Sequence, residues 1–158
     1  MKKRVTKKNV ELLRHDTYVA LIQNSIGTKL FQNLFAKVNG KKMDVLNGGE
    51  LSCAFYVSSV LTIAGFMKKP HATVKSTEKE LIEAGWKKTN KPKYGDVLVW
   101  EATEKSKLHQ HIGFYGGADK AISNSDTKHV PVVHHLYYGL KNAKPVRKIL
   151  AMYAVPKN

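Results

Sequence analysis

The only cysteine of the chain stands where a helix is expected to begin. In residues 47–61, NGGELSCAFYVSSVL, Cys53 follows a Gly-Gly pair and Ser52, and apolar residues then recur with helical spacing. Ser52 can serve as the N-cap, which puts Cys53 in the first turn. The helix dipole there lowers the pKa of a thiol, and free backbone N–H groups can bind a developing oxyanion. Cys53 is therefore either a nucleophile or an ordinary small residue of the core.

A catalytic thiol needs a base, and one of the seven histidines is well placed to supply it. His111 begins the short strand HIGFY (111–115), which enters a hairpin through the turn GGAD. The sheet would hold a residue at that position while its side chain faces a cleft, which suits a general base. A surface position or a hydrogen-bonded interior position is the alternative for such a histidine.

Three segments, taken in order, resemble the NlpC-type cell-wall peptidases, which share the papain-like fold with the CHAP amidases. They are GGELSCAFYVSSVL, KPKYGDVLVWE and HIGFYGGADKAISNS, and the resemblance covers residues 47–125. It implies a cysteine hydrolase of amide bonds, with Cys53 as nucleophile and His111 as base. It implies a bacterial or phage enzyme whose substrate is bacterial peptidoglycan, cut for example at a stem-peptide bond or at the muramoyl-alanine link. Ser52 stands where the family has aspartate, and Ala54 and Phe55 stand where it has Ser-Gly.

The third catalytic position has two alternatives. Counting from the strand histidine puts the family's second histidine on Ser123, and a three-residue hairpin turn also sets Ser123 opposite His111. A turn of two or four residues sets Asn124 there instead. An asparagine amide oxygen accepts the imidazole N–H and fixes its tautomer, and a serine hydroxyl does so less firmly. We predict a triad of Cys53, His111 and Asn124, with Ser123 as the alternative.

A metal site is the first rival interpretation. His-x-His on a strand puts His109 and His111 on one face, and His134 and His135 follow further along the chain. No ligand spacing typical of a zinc enzyme accompanies them, so no metal and no other cofactor is expected. The segment VVHHLYY is better interpreted as a strand in which His134 or His135 at most lines the cleft.

The elements that must position these residues divide into two halves. Helical spacing covers residues 16–38, with an interruption near Gly27, then the segment from Cys53 to Ala64, and residues 77–84, where Thr77 and Glu80 form a capping box. Period-two segments follow and predict strands at residues 96–101, 111–115, 120–125, 130–138 and 146–155. We therefore predict an α+β domain, papain-like, with N-terminal helices packed on a mostly antiparallel sheet or half-barrel. We expect residues 1–158 to form a single domain, with residues 1–14 as a flexible basic arm.

The charge of the chain limits its partners. Lys and Arg number 27 against 12 Asp and Glu, a net charge of +15, which attracts polyanions. The cations are scattered and no nucleic-acid motif organises them, so nucleic acid is not the expected partner. An anionic wall polymer fits this charge. The second rival is accordingly a non-catalytic module of the same fold that holds a polyanion, either wall polymer or nucleic acid.

Compartment is indicated only by what the sequence lacks. No apolar run is long enough to cross a bilayer, and the basic N-terminus has no apolar stretch after it, so neither a transmembrane segment nor a signal peptide is recognisable. The expectation is a cytoplasmic protein, or one that is released or exported to the wall by a non-classical route.

Overall fold

The structure, a computed structural model, describes residues 10–104 and 109–156, so most of the predicted N-terminal arm lies outside the described residues. The described residues contain three α-helices: α1 (Arg14–Asn24), α2 (Cys53–Ile63) and α3 (Val74–Glu83). Ten strands accompany them: β1 (Phe35–Val38), β2 (Lys41–Asp44), β3 (Lys87–Lys88), β4 (Val97–Trp100), β5 (His111–Tyr115), β6 (Lys120–Asn124), β7 (Pro131–His135), β8 (Leu140–Lys141), β9 (Lys144–Pro145) and β10 (Ile149–Ala154). The predicted α+β class and the antiparallel sheet are confirmed.

The main sheet has six strands in the order β3-β10-β4-β5-β6-β7, and every pairing in it is antiparallel. The remaining strands form two small hairpins, β1-β2 and β8-β9. All five strands predicted from period-two segments are present. No helix in the described ranges is long and apolar enough to cross a membrane.

Helix α2 lies against the middle of the sheet and is buried on nearly all sides. Its sequence, CAFYVSSVLTI, is apolar around most of its circumference, as expected for a core helix. Tyr56 and Phe114 of β5 contact edge to face, with ring centroids 5.5 Å apart, and both are fully buried. Gly65, at φ +77°, ends the helix, as the sequence predicted. This packing fixes the position of the first turn of α2 against β5.

The prediction of helical structure over residues 16–38 is wrong in its second half. The chain leaves α1 at Asn24, and Phe35–Val38 forms strand β1 instead. The cause is the turn Asn39-Gly40, where both residues have positive φ (49° and 79°), the conformation of a tight two-residue hairpin. Turn chemistry thus decides the local structure over helical spacing.

The capping box predicted for the third helix is also wrong. Helix α3 begins one turn earlier, where Thr73 is the N-cap and accepts a hydrogen bond from the Ser76 N–H at 3.2 Å. Thr77 lies inside the helix and its hydroxyl donates to the Thr73 carbonyl. Glu80 accepts from the Lys68 N–H and pairs with the His71 ring, so a long-range contact replaces the local cap.

The β5-β6 hairpin corrects the predicted register. Phe114 pairs with Ile122 and Tyr115 with Ala121, whereas the three turns considered would pair Tyr115 with Lys120 or Asp119. The connection is therefore longer than any of them. It includes Ala118 in the left-handed region at φ 48°, a conformation that the turn sequence GGAD does not predict for an alanine.

Candidate active site

Cys53 and His111 line one groove of about 900 Å³, at the place where the start of α2 meets strands β5 to β7. Cys53 is half-buried, and the main-chain N–H groups of Ala54 and Ile112 face its sulfur. Ile112 directly follows His111 on β5, so the predicted nucleophile faces the backbone next to the predicted base, and both residues line the same groove. The groove admits solvent to both.

Asn124 holds the segment that leads into Cys53. Its side-chain amide donates to the Gly49 carbonyl at 2.7 Å, which ties the end of β6 to the turn before α2. Gly49 has φ +105°, and a Cβ there would lie 2.9 Å from His129, so only glycine fits this approach. The Asn124 amide oxygen is buried and accepts no hydrogen bond from the described residues. Asn124 lines the groove, but the contact to the His111 ring that we predicted for it is made by its neighbour.

That neighbour is Ser123. The His111 Nε2 atom and the Ser123 hydroxyl oxygen are 2.9 Å apart, and Ser123 is 1% exposed. The approach depends on Gly113, because a Cβ at this glycine would lie 2.6 Å from both the Ser123 Cβ and the Ile122 carbonyl oxygen. Counting along the chain therefore predicts the residue that contacts the His111 ring, which is Ser123. The hairpin argument, which predicts Asn124, does not.

Behind Ser123 the hydrogen bonds continue to a second imidazole. The Ser123 oxygen lies 2.8 Å from His134 Nε2, and His134 Nδ1 lies 2.9 Å from the His135 carbonyl oxygen. A carbonyl oxygen only accepts, so in a neutral His134 ring the proton is on Nδ1 and Nε2 is the acceptor. The Ser123 hydroxyl must then donate to His134, and its oxygen accepts from the N–H at His111 Nε2.

This chain of donors assigns the tautomer of His111. With the proton on Nε2, Nδ1 carries the lone pair and is the basic nitrogen of the ring. No described residue forms a hydrogen bond with Nδ1. The arrangement therefore leaves one imidazole nitrogen ready to take a proton, and its tautomer is fixed by a carbonyl three residues away in the network.

Both imidazoles are neutral at pH 7. Burial lowers the pKa of His111 to about 3, and the Arg147 and His134 charges act in the same direction. Burial also lowers the pKa of His134, against a smaller opposite influence from its bond to the His135 carbonyl. The neutral rings are the state on which the tautomer assignment depends.

The thiol differs from the sequence-based expectation. Burial raises the pKa of Cys53, and the facing N–H groups and Arg147 lower it by less. Ser52 occupies the N-cap position, as predicted, but its side chain makes no cap hydrogen bond, and its hydroxyl is buried without a hydrogen-bond partner among the described residues. The helix start is present, but desolvation outweighs it, so Cys53 is a thiol rather than a thiolate at neutral pH.

Two groove residues, Tyr138 and Arg147, were not assigned a role from the sequence, and His134 was expected at most to line the cleft. Tyr138 stacks on His134 with ring centroids 4.2 Å apart, and its hydroxyl lies 3.2 Å from the Ser123 oxygen. Alternation along β7 places His134 on one face with Val132, which pairs with Ser123, so the strand pattern carried a signal for it. Arg147 had a weaker signal, being one of only three arginines in a lysine-rich chain.

Within residues 10–104 and 109–156, no three His, Cys, Asp or Glu side chains are grouped so that they could share a metal ion. No protein-family model matches the chain, and no curated protein is significantly similar to it.

Proposed function

We propose that the protein is a papain-like cysteine hydrolase of amide bonds, a peptidase or amidase acting on peptidoglycan. The observation that carries the proposal is that the only cysteine, at a helix start, shares a groove with a histidine whose tautomer leaves a basic nitrogen. The resemblance of residues 47–125 to NlpC-type peptidases supports the substrate class. The net charge of +15 favours an anionic wall as the place of action.

The reaction begins from a neutral pair. His111 Nδ1 takes the thiol proton as the Cys53 sulfur attacks the carbonyl carbon, and N–H groups at the start of α2 stabilise the tetrahedral oxyanion. The imidazolium then gives that proton to the leaving amine, and the C–N bond breaks to leave a thioester. Water, deprotonated by the same nitrogen, releases the acid and restores the thiol. Ser123 holds the ring throughout by accepting from Nε2.

The test is release of soluble fragments from purified peptidoglycan sacculi. We expect Cys53→Ala and His111→Gln each to abolish release, because nucleophile and base act as a unit and removal of either is nearly as severe as removal of both. Glutamine retains a donor toward Ser123 but has no basic nitrogen. His15→Ala, on the exposed face of α1, is the matched control and keeps full activity.

Circular dichroism and thermal unfolding of each variant establish that the fold persists. Release that continues in folded Cys53→Ala or His111→Gln contradicts the proposal. A protein that binds sacculi without releasing soluble fragments would instead be the non-catalytic polyanion-binding module. Its binding to sacculi would be unchanged in Cys53→Ala.

A further inference from the structure

Arg147 is a buried cation whose observed partners are neutral. It is 8% exposed, its Nε donates to the Glu101 carbonyl at 2.7 Å, and its Nη2 donates to the His109 carbonyl at 2.9 Å. The ion pairs of the described residues do not include Arg147. Two carbonyls satisfy donors but do not neutralise the charge, and a buried charge without a counterion is costly to maintain.

This charge lies beside the proposed reactive groups. The Arg147 guanidinium carbon is 5.5 Å from the centre of the Tyr138 ring, whose hydroxyl reaches Ser123. Arg147 lines the same groove as Cys53 and His111, and its charge lowers the pKa of both, with less influence than burial has on either. A ligand that reaches the sulfur therefore enters the field of this guanidinium.

Two acidic groups, Glu50 and Asp126, also line the groove. Glu50 accepts a hydrogen bond from the Asn47 amide, and the charge of Asp126 acts on Tyr138. The charge of Arg147 acts directly on Cys53, where it lowers the pKa of the thiol.

We propose that Arg147 binds a carboxylate of the substrate next to the amide that Cys53 attacks, so that the preferred substrate is an acidic amide. Its two observed bonds use two of the five N–H donors of a guanidinium, whose planar fork suits a carboxylate. The carboxylate supplies the ion-pair partner that Arg147 does not have among the described residues. That the bound carboxylate belongs to a substrate rests on the proposed function, whereas the anion subsite itself does not require catalysis.

Two alkylating reagents test the subsite without any peptidoglycan. Iodoacetate is an anion and iodoacetamide is its neutral counterpart, and Cys53 is the only thiol that either can modify. The ratio of their second-order rate constants removes the intrinsic reactivity of the sulfur and leaves the attraction for the carboxylate. We expect Arg147→Gln to lower the ratio by about tenfold, as loss of a unit charge from the same partly buried groove predicts.

Arg147→Lys keeps the charge but loses the planar fork, so we expect its ratio to fall, and to fall less than that of Arg147→Gln. Lys148→Gln, at the exposed next position, removes the same charge outside the groove and leaves the ratio unchanged. An unchanged ratio in Arg147→Gln, an equal fall in Lys148→Gln, or failure of both reagents to modify Cys53 overturns the proposal. A lowered ratio in a protein that releases nothing from sacculi keeps the anion subsite and rejects the hydrolase.

Discussion

Ser123 lies between two imidazoles, and this position determines what a serine can contribute there. Alone, its hydroxyl is a weak partner for a catalytic histidine. The Ser123 hydroxyl donates a hydrogen bond to His134 Nε2, 2.8 Å from its oxygen. The same oxygen can therefore accept a hydrogen bond from the N–H at His111 Nε2, 2.9 Å away. The orientation of His111 therefore depends on His134, a residue that does not touch the reacting atoms. His134 is a positioning residue of the proposed reaction.

The pair of variants His134→Gln and His134→Asn tests this dependence. A glutamine amide oxygen can occupy the place of Nε2 and accept from Ser123, whereas an asparagine amide reaches only the place of Nδ1. We expect fragment release to persist in His134→Gln and to fall by at least about tenfold in His134→Asn, a part of what general acid–base catalysis supplies.

The ¹⁵N chemical shifts of His111 provide a readout that a purely structural role of His134 would not move. In the wild type and in His134→Gln they should report a proton on Nε2, and in His134→Asn a mixture of tautomers. Identical tautomer ratios in all three proteins would show that His134 does not position the ring.

At the scale of elements, the β5-β6 hairpin brings His111, the proposed base, to Ser123. Gly113 has no Cβ to separate the strands, so Ser123 comes close enough to reach the His111 ring. The sequence predicted both strands correctly, because their period-two pattern is clear. It did not predict the register, since the connection after Tyr115 places Ala118 at positive φ, which an alanine adopts only when the surrounding structure demands it.

Gly113→Ala tests the hairpin. The new Cβ would lie 2.6 Å from the Ile122 carbonyl oxygen and from the Ser123 Cβ, so the strands must separate. We expect a loss of about 1–3 kcal/mol in the free energy of unfolding, measured by urea denaturation, together with loss of fragment release. Gly116→Ala is the matched control in the same hairpin, because its Cβ would meet nothing closer than 3.4 Å. Equal stability of the two variants would contradict this description of the hairpin.

At the scale of the whole molecule, the groove forms where the helical and the strand-rich parts of the sequence meet. Helix α2 and strand β5 were both predicted with bounds close to those observed, and with them the residues Cys53 and His111. Other parts of the groove come from β6, from β7 and from the segment before β10, far along the chain. Contacts between distant segments leave little local signal, which is why Arg147 had no predicted role.

The pKa of Cys53 illustrates the same limit. A local pattern, the helix start, indicated a lowered value, and that influence is present in the facing N–H groups. The opposing influence is burial, which the whole fold determines, and it is the larger of the two. A reactive Cys53 must therefore obtain its thiolate by giving the proton to His111 as it attacks, rather than hold a thiolate at rest.

The pH dependence of Cys53 alkylation by iodoacetamide, in the wild type and in His111→Gln, measures this directly. His111 stays unprotonated down to about pH 3, whereas the thiol pKa is raised above its ordinary value. Without a base, the rate should follow the thiolate fraction, rising about tenfold per pH unit toward that raised pKa. We predict that between pH 5 and 8 the wild type reacts at least about tenfold faster than His111→Gln, and that the two rates converge at high pH. Superimposable profiles for the two proteins would show that the cysteine and the histidine do not act as a pair.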